Sequence, residues 1–391
     1  MQVPSASESI YFINNSIGWT VGNEGTIVTT HDGGQTWQQQ YSGVTAELFG
    51  VFFIDENNGW AVGREGSILH TINGGNQWTS QSSGTNLTLR SVTFIDNTQG
   101  WIVGEDGIIL YTMNGGTNWQ NQNSSTTSYL DVVDFVDANH GWVACGTLDG
   151  SILKTNNGGA SWQIQYVPTQ DRIFTLDFVD QNTGWVGTTG VEVLKTTDGG
   201  SSWTLQYQNS LHPYDVFSAM CFVDQNFGLA VGYDGRITNT VDGGNTWVEQ
   251  TSGVHNYLTG VCFVDQYHGW VVGKEGLILK AKSAITSIGN HSISRKTTPD
   301  KFLLFNNYPN PFNPVTTIQY DVPHTTRIVL KIYDMLGQQV KTLIDEVQAP
   351  GRKSVIWDGR NDNGVIVGSG IYFYRLQSND ILRTKKMMLM R

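Results

Sequence analysis

The chain has 391 residues, enough for two or three domains, and its charge is divided unevenly: residues 1–290 carry 26 Asp and Glu against 9 Lys and Arg, while residues 291–391 carry 8 against 14. The acidic stretch argues against nucleic acid as a partner, which requires clustered cations, and no run of 18 apolar residues is present to cross a membrane as a helix. Abundant glycine (45 residues) with few charged residues (15%) suits an all-β chain built on tight turns.

The first eight residues, Met1–Glu8, show no basic stretch followed by an apolar core, so no secretory signal is expected in this chain. From about Ser9 one unit is written seven times: a hydrophobic strand, an acidic turn, Gly-Trp or its equivalent, a short glycine hairpin and, six times, a Gly-Gly-x-x-Trp turn. The marker positions are Trp19, Trp60, Trp101, Trp142, Trp185, Leu229 and Trp270, spaced by 41 to 44 residues. A period in the forties with four short strands per unit predicts a seven-bladed β-propeller over residues 1–282.

Residues 48–82 illustrate one unit. Leu48–Asp55 reads as the innermost strand A, and Asp55–Gly59 as a turn closed by Asp and Asn side chains. Trp60–Gly63 reads as strand B, Arg64–Gly66 as a hairpin and Ser67–Thr71 as strand C. Thr71–Trp78 is a second turn into an outer strand D, and a Gln follows its Trp by three residues in all six copies. The seventh unit, Leu258–Lys282, has strands A to C and lacks D; residues 2–7 or 283–288 are the candidates for an improvised fourth strand. Cys145, Cys221 and Cys262 read as small buried hydrophobes rather than a disulfide framework.

Strand order puts the A-to-B and C-to-D turns on one face, and the D-to-A loops and B-to-C hairpins on the other. The first face is copied almost verbatim, so its turns read as architecture. The second face varies, and variable loops on a rigid scaffold collect binding residues. The expected binding face therefore comprises Arg64, Arg90, Tyr129, Asp131, Asp171, Arg172, His212, Tyr214, Asp215, His255 and Tyr257. Inside the ring, the middle position of Val-x-Phe and its equivalents holds Asp134 and Asp177 in adjacent blades. These are channel acids whose burial would raise their pKa, with bonding to backbone as the simpler fate. No His spacing suits a metal, and no nucleophile elbow or phosphate loop appears, so no catalytic residue, metal or cofactor is expected.

Residues 283–301 break the repeat and read as a linker. Tyr308-Pro-Asn-Pro-Phe-Asn-Pro314 then leads into six or seven short alternating strands within residues 302–391, the pattern of an immunoglobulin-like sandwich.

The turn Thr30-His-Asp32-Gly-Gly34-Gln-Thr36-Trp37 and its five copies resemble the Asp-box of bacterial neuraminidase repeats. The whole unit is similar to the propeller family of the photosystem II assembly/stability factor. Tyr333-Asp-Met-Leu-Gly337, Trp357-Asp-Gly359, Gly370-Ile-Tyr-Phe-Tyr374 and Lys385–Arg391 resemble the type A C-terminal sorting domain of type IX secretion cargo. That resemblance implies a protein of a Bacteroidota-type bacterium, secreted or held at the outer-membrane surface, with residues 302–391 handled by the secretion machinery. It also implies a leader, so the natural chain is expected to begin upstream. The resulting expectation is a non-catalytic binding module whose partner, a protein or polysaccharide, sits opposite the Asp-boxes. The alternatives are a glycoside hydrolase of the sialidase-like Asp-box class and, by family resemblance, an assembly chaperone.

Overall fold

A computed structural model describes residues 7–209, 215–281, 302–305, 307, 310, 312–378 and 381–390. The chain divides into two compact units, Met1–Gly289 and Asn290–Arg391. The linker 283–301 and the candidate fourth strands of blade 7 (residues 2–7 and 283–288) lie outside the described residues, except Ser7, which opens the first strand A; His212 and Tyr214 also lie outside them.

The first unit is a seven-bladed propeller. Six antiparallel sheets have four strands in chain order, and the seventh, Leu258–Lys280, has three among the described residues. The innermost strands are Ser7–Phe12, Leu48–Phe53, Leu89–Phe94, Leu130–Phe135, Ile173–Phe178, Phe217–Phe222 and Leu258–Asp265. Each packs on the next, and the last packs on the first, which closes the ring. The closing contacts include Thr259 Oγ1 donating to the Ser7 carbonyl at 2.6 Å and Trp270 Nε1 donating to the Gly33 carbonyl at 3.0 Å.

The repeat closes because one aromatic sandwich recurs between blades. The strand B indoles of Trp19, Trp60, Trp101, Trp142, Trp185 and Trp270 are fully buried. Each stacks flat on the strand A Phe of the next blade at 3.5–3.7 Å between centroids. The Asp-box Trp of that blade meets the same Phe edge-on at 5.8–6.1 Å. Stacked and edge-to-face pairs add to the burial of large apolar area. Blade 6 carries Leu229 instead of Trp, and Phe227 packs on Phe263 there at 5.6 Å.

The strand D glutamines tie blade to blade. Gln40, Gln81 and Gln122 donate to the carbonyls of Gly74, Gly115 and Gly158 in the next Asp-box at 2.8–2.9 Å. They accept from Trp78, Trp119 and Trp162 at 3.1–3.3 Å. Where strand C carries a lysine this clamp changes: Lys195 and Lys280 take the Gly243 and Gly33 carbonyls at 2.7 Å, and the Trp247 and Trp37 indole N–H groups are left buried without an acceptor.

The second unit is an immunoglobulin-like sandwich. One sheet orders Leu303–Leu304, Thr316–Val322 and Gly351–Trp357; the other orders Gln339–Gln348, Thr326–Tyr333, Gly370–Ser378 and Ile381–Leu389. Its core includes Phe312, Ile318, Tyr320, Ile332, Trp357, Tyr374 and Met387. The Asn-Pro-Phe motif is bonded to the last strand: Asn310 Oδ1 accepts from Met388 N at 2.8 Å, and the Phe312 backbone pairs with Met388 and Met390 at 3.0 and 2.9 Å.

Candidate functional site

The second residue of each strand A stands at the mouth of the central channel. That column reads Glu8, Phe49, Arg90, Asp131, Phe174, Ser218 and Thr259, and all seven line one cavity of about 490 Å³. Arg64 and Lys274 from the hairpins, with Glu47 and Tyr257 from the D-to-A loops, complete it. The hairpins are held in place by the fold: Arg64 N donates to the Glu47 carbonyl at 2.9 Å, and Gly66 N to the Leu87 carbonyl at 2.9 Å.

Most charges at this mouth are paired. Glu8 accepts from Lys274, Glu47 accepts from Arg64 Nε at 2.8 Å, and Asp131 accepts from Arg172 Nη2 at 2.6 Å. Arg90 forms no ion pair among the described residues. Its guanidinium lies 4.9 Å from the Phe49 ring centroid, the Arg64 guanidinium lies 5.4 Å from the same ring, and Arg90 Nε is buried without an acceptor. A buried donor without an acceptor is costly to leave unmet. The mouth thus presents an aromatic plate flanked by one unbalanced positive charge, an arrangement suited to a carboxylate carried on an apolar body. Across the ring, Arg172 covers Phe174 at 4.9 Å.

Of the residues marked from sequence, Arg64, Arg90, Asp131 and Tyr257 line this cavity, and Arg172 joins it through Asp131. Asp215 and His255 lie instead in a groove of about 340 Å³ on blade 6 with Tyr233, Arg236 and Glu249. There Asp215 is buried and accepts from Arg236 Nη2 at 2.9 Å, while His255 Nδ1 lies 2.8 Å from Asp234. Tyr129 and Asp171 line neither space. Phe49, Phe174, Glu8 and Glu47 were not marked, because within a single unit they read as ordinary strand or loop positions. Aligning the seven strand A copies and reading their second column reveals the first three.

Asp134 and Asp177 lie three residues further along strand A. Asp134 accepts from Phe178 N at 2.7 Å, and Asp177 from Phe222 N at 2.6 Å. Cys221 and Cys262 repeat the contact through Sγ, accepting from Phe263 N and Phe12 N at 3.3 Å. The four side chains form a belt that joins blades 4, 5, 6, 7 and 1. Burial raises the Asp134 carboxyl to about 6. Burial, with the charge of Asp134 added, pushes Asp177 well above the carboxylate range. Burial also drives the Cys262 thiol up to about 12. Among the described residues no group of His, Cys, Asp and Glu is arranged to hold a metal.

Residues 42–127 and 119–214 match the family of the photosynthesis system II assembly factor YCF48, and residues 306–390 match a secretion system C-terminal sorting domain. Among curated proteins none matches the chain in sequence. A solved structure of YCF48 bound to a D1 peptide is similar at 21% identity and a TM-score of 0.62, over 72% of this chain and 93% of that one. PorZ, a surface component of the type-IX secretion system of Porphyromonas gingivalis, is similar at 12% identity and a TM-score of 0.57, over the whole of this chain and 61% of PorZ. A GH74 xyloglucanase from Xanthomonas campestris is similar at 12% identity and a TM-score of 0.61, over 88% of this chain and 58% of the enzyme. At these identities the likeness speaks for the fold alone. The family likeness therefore covers residues 42–214 for the YCF48-like repeat and residues 306–390 for the secretion system C-terminal sorting domain.

Proposed function

We propose that the protein is carried out of the cell by type IX secretion through residues 302–391 and displayed or released at the surface. There its propeller binds a segment of another protein at the channel mouth without transforming it. The observation that supports this most is Arg90, a cation with a buried, unmet Nε beside an aromatic plate, in a mouth whose acids are already paired with other cations. A propeller of the same fold, YCF48, is known with a D1 peptide bound.

The hydrolase alternative finds less support. Asp134 and Asp177 are committed to backbone N–H groups, and Arg64 and Arg172 to carboxylates. A glycosidase needs two carboxyl groups free to act on one bond.

The test is a binding screen of the full chain against arrayed peptides with free and with amidated C-termini, run beside a glycan array and a turnover assay on xyloglucan and sialosides. Saturable peptide binding that falls at least tenfold in Arg90→Ala is the expected result. Turnover of either glycan, or peptide binding indifferent to Arg90, would overturn the reading.

A further inference from the structure

Positions copied around the ring are scaffold, so a constellation that occurs in one blade alone asks for another reason. The second residue of strand D is Gln39, Ser80, Asn121, Ile164 and Leu205 in blades 1 to 5, and Glu249 in blade 6. That single acid is fixed from two blades. Its Oε1 accepts from Tyr207 Oη at 2.7 Å and Asn209 Nδ2 at 2.6 Å on blade 5, and from Arg236 Nη1 at 2.7 Å on its own blade. Arg236 Nη2 donates in turn to the buried Asp215 at 2.9 Å. The bond from Tyr207, with those from Asn209 and Arg236, holds the Glu249 carboxyl below its ordinary range, so it stays ionised. Half of its side chain is exposed, and its Oε2 has no partner among the described residues.

Glu249 lines the blade 6 groove of about 340 Å³ together with Asp234, Tyr233 and His255. The lining holds three carboxylates, one guanidinium and no lysine, so it keeps an excess negative charge even when His255 carries a proton. Arg236 brings no spare charge, because both of its Nη groups are already on carboxylates. Tyr233, nearly half exposed, adds an aromatic ring to the same wall. That ring also joins the groove to the channel mouth: it lies 6.3 Å from the ring of Tyr257, which lines the mouth. The two spaces therefore open on one face with a tyrosine pair between them.

We propose that the blade 6 groove is a second subsite for the segment bound at the channel mouth, and that it takes a basic side chain of that segment, arginine or lysine, on Glu249 and Asp234 with Tyr233 alongside. This rests on the reading that the mouth binds a segment of another protein. A carboxylate already pinned through one oxygen loses little freedom when the other takes a ligand. Hydrogen bonds between ionised partners are the strong ones, and an aromatic face attracts a cation. The scaffold itself has no use for Glu249, since five blades close without an acid at that position.

The test uses the full chain and arrayed peptides with a free C-terminus. Each peptide is made in two forms that differ only by arginine or glutamine at one position, and that position is moved along the peptide. The expected result is that the parent chain binds the arginine form about tenfold more tightly at one position, and that Glu249→Gln lowers the arginine form to the affinity of the glutamine form. No preference for arginine, or a preference that survives Glu249→Gln, would overturn the groove assignment; binding that still falls in Arg90→Ala would leave the mouth reading intact. A preference that depends on Glu249, with binding indifferent to Arg90, would keep the groove as a site and overturn its link to the mouth. No saturable binding of any peptide would remove both. Thermal unfolding checks that Glu249→Gln keeps its fold, and if it does not, Asp234→Asn on the hairpin takes its place and is judged by the same outcomes.

Discussion

At the six Asp-box corners the same bond recurs whichever residue makes it. Asp32, Asp198 and Asp242 accept a backbone N–H at 2.8 Å, and Asn73, Asn114 and Asn157 do so at 2.9–3.0 Å. At the channel mouth the second column of strand A instead runs through two acids, two aromatics, an arginine and two hydroxyls. A corner needs only an acceptor, so Asp and Asn interchange freely there. The mouth is a place the fold leaves unspecified, and the differences found there are available to a ligand.

Four tests break or sharpen that contrast. The largest effect belongs to the copied architecture. Trp101→Ala removes a fully buried indole stacked at 3.6 Å on Phe135 and is expected to cost about 3–5 kcal/mol in denaturant unfolding, whereas Arg90→Ala stays within about 0.5 kcal/mol of the parent. Equal losses would erase the distinction between corner and mouth.

Next come two glycines at the same corner position. Gly75 holds φ +87°, and a Cβ there would collide with the Gln40 amide; Gly34 holds φ +84°, with Trp270 Nε1 as its nearest neighbour at 3.1 Å. Gly75→Ala should cost roughly 2–3 kcal/mol and Gly34→Ala about 1 kcal/mol, because only the first meets a glutamine clamp. A Gly34→Ala loss as large as that of Gly75→Ala would mean the junction between blades 7 and 1 is as tight as the others.

Asp134→Asn tests the belt through pH. The folded carboxyl titrates near 6, above its ordinary 3.8, so the folded state holds that proton more firmly than the unfolded chain does. Its contribution is fully present below about pH 4 and is lost as pH rises towards 6, by something on the order of 1–3 kcal/mol. Asn keeps an acceptor for Phe178 N–H without a charge. Unfolding followed from pH 4 to 7 should therefore show a shallower decline in the variant, and an unchanged slope would locate the proton elsewhere.

The smallest effect concerns the hairpins. Glu65 sits at φ +57° in a two-residue turn with Gly66, a conformation costly for a side-chain-bearing residue. Glu65→Gly should stabilise by a few tenths to about 1 kcal/mol in thermal unfolding; a destabilised variant would show that the carboxylate forms a contact that outweighs the strain.

The propeller and its faces were legible because the signals are periodic and local. A tryptophan every forty-odd residues, a glycine where φ must be positive and an Asp or Asn that closes its own turn each act within a few residues. Arg64, Arg90, Asp131 and Tyr257 were marked as loop or hairpin residues of the variable face, but Arg90 and Asp131 stand inside strand A, as its second residue in Leu89–Phe94 and Leu130–Phe135. What escaped depends on neighbours one repeat away. Arg172 reaches Asp131 across 41 residues, and Phe49 serves two guanidinium groups although it reads as one more apolar strand residue. Asp215 was placed on the same face, where the hairpin residue Arg236 holds it in the blade 6 groove and not at the channel mouth. In the second unit, Tyr333–Gly337 marked the domain without revealing that its Met and Leu point outward.

The belt that runs from Asp134 through Asp177 and Cys221 ends with Cys262 holding Phe12, so blade 7 is tied to blade 1 at the inner wall even though its outer strand is absent among the described residues. A linear array of repeats can fray from either extremity, one module at a time. A hoop has no extremity, and releasing any segment means parting two seams at once. At the seam of blades 7 and 1 Lys280 holds the Gly33 carbonyl while the Trp37 indole goes unmet, the same arrangement that Lys195, Gly243 and Trp247 make between blades 5 and 6.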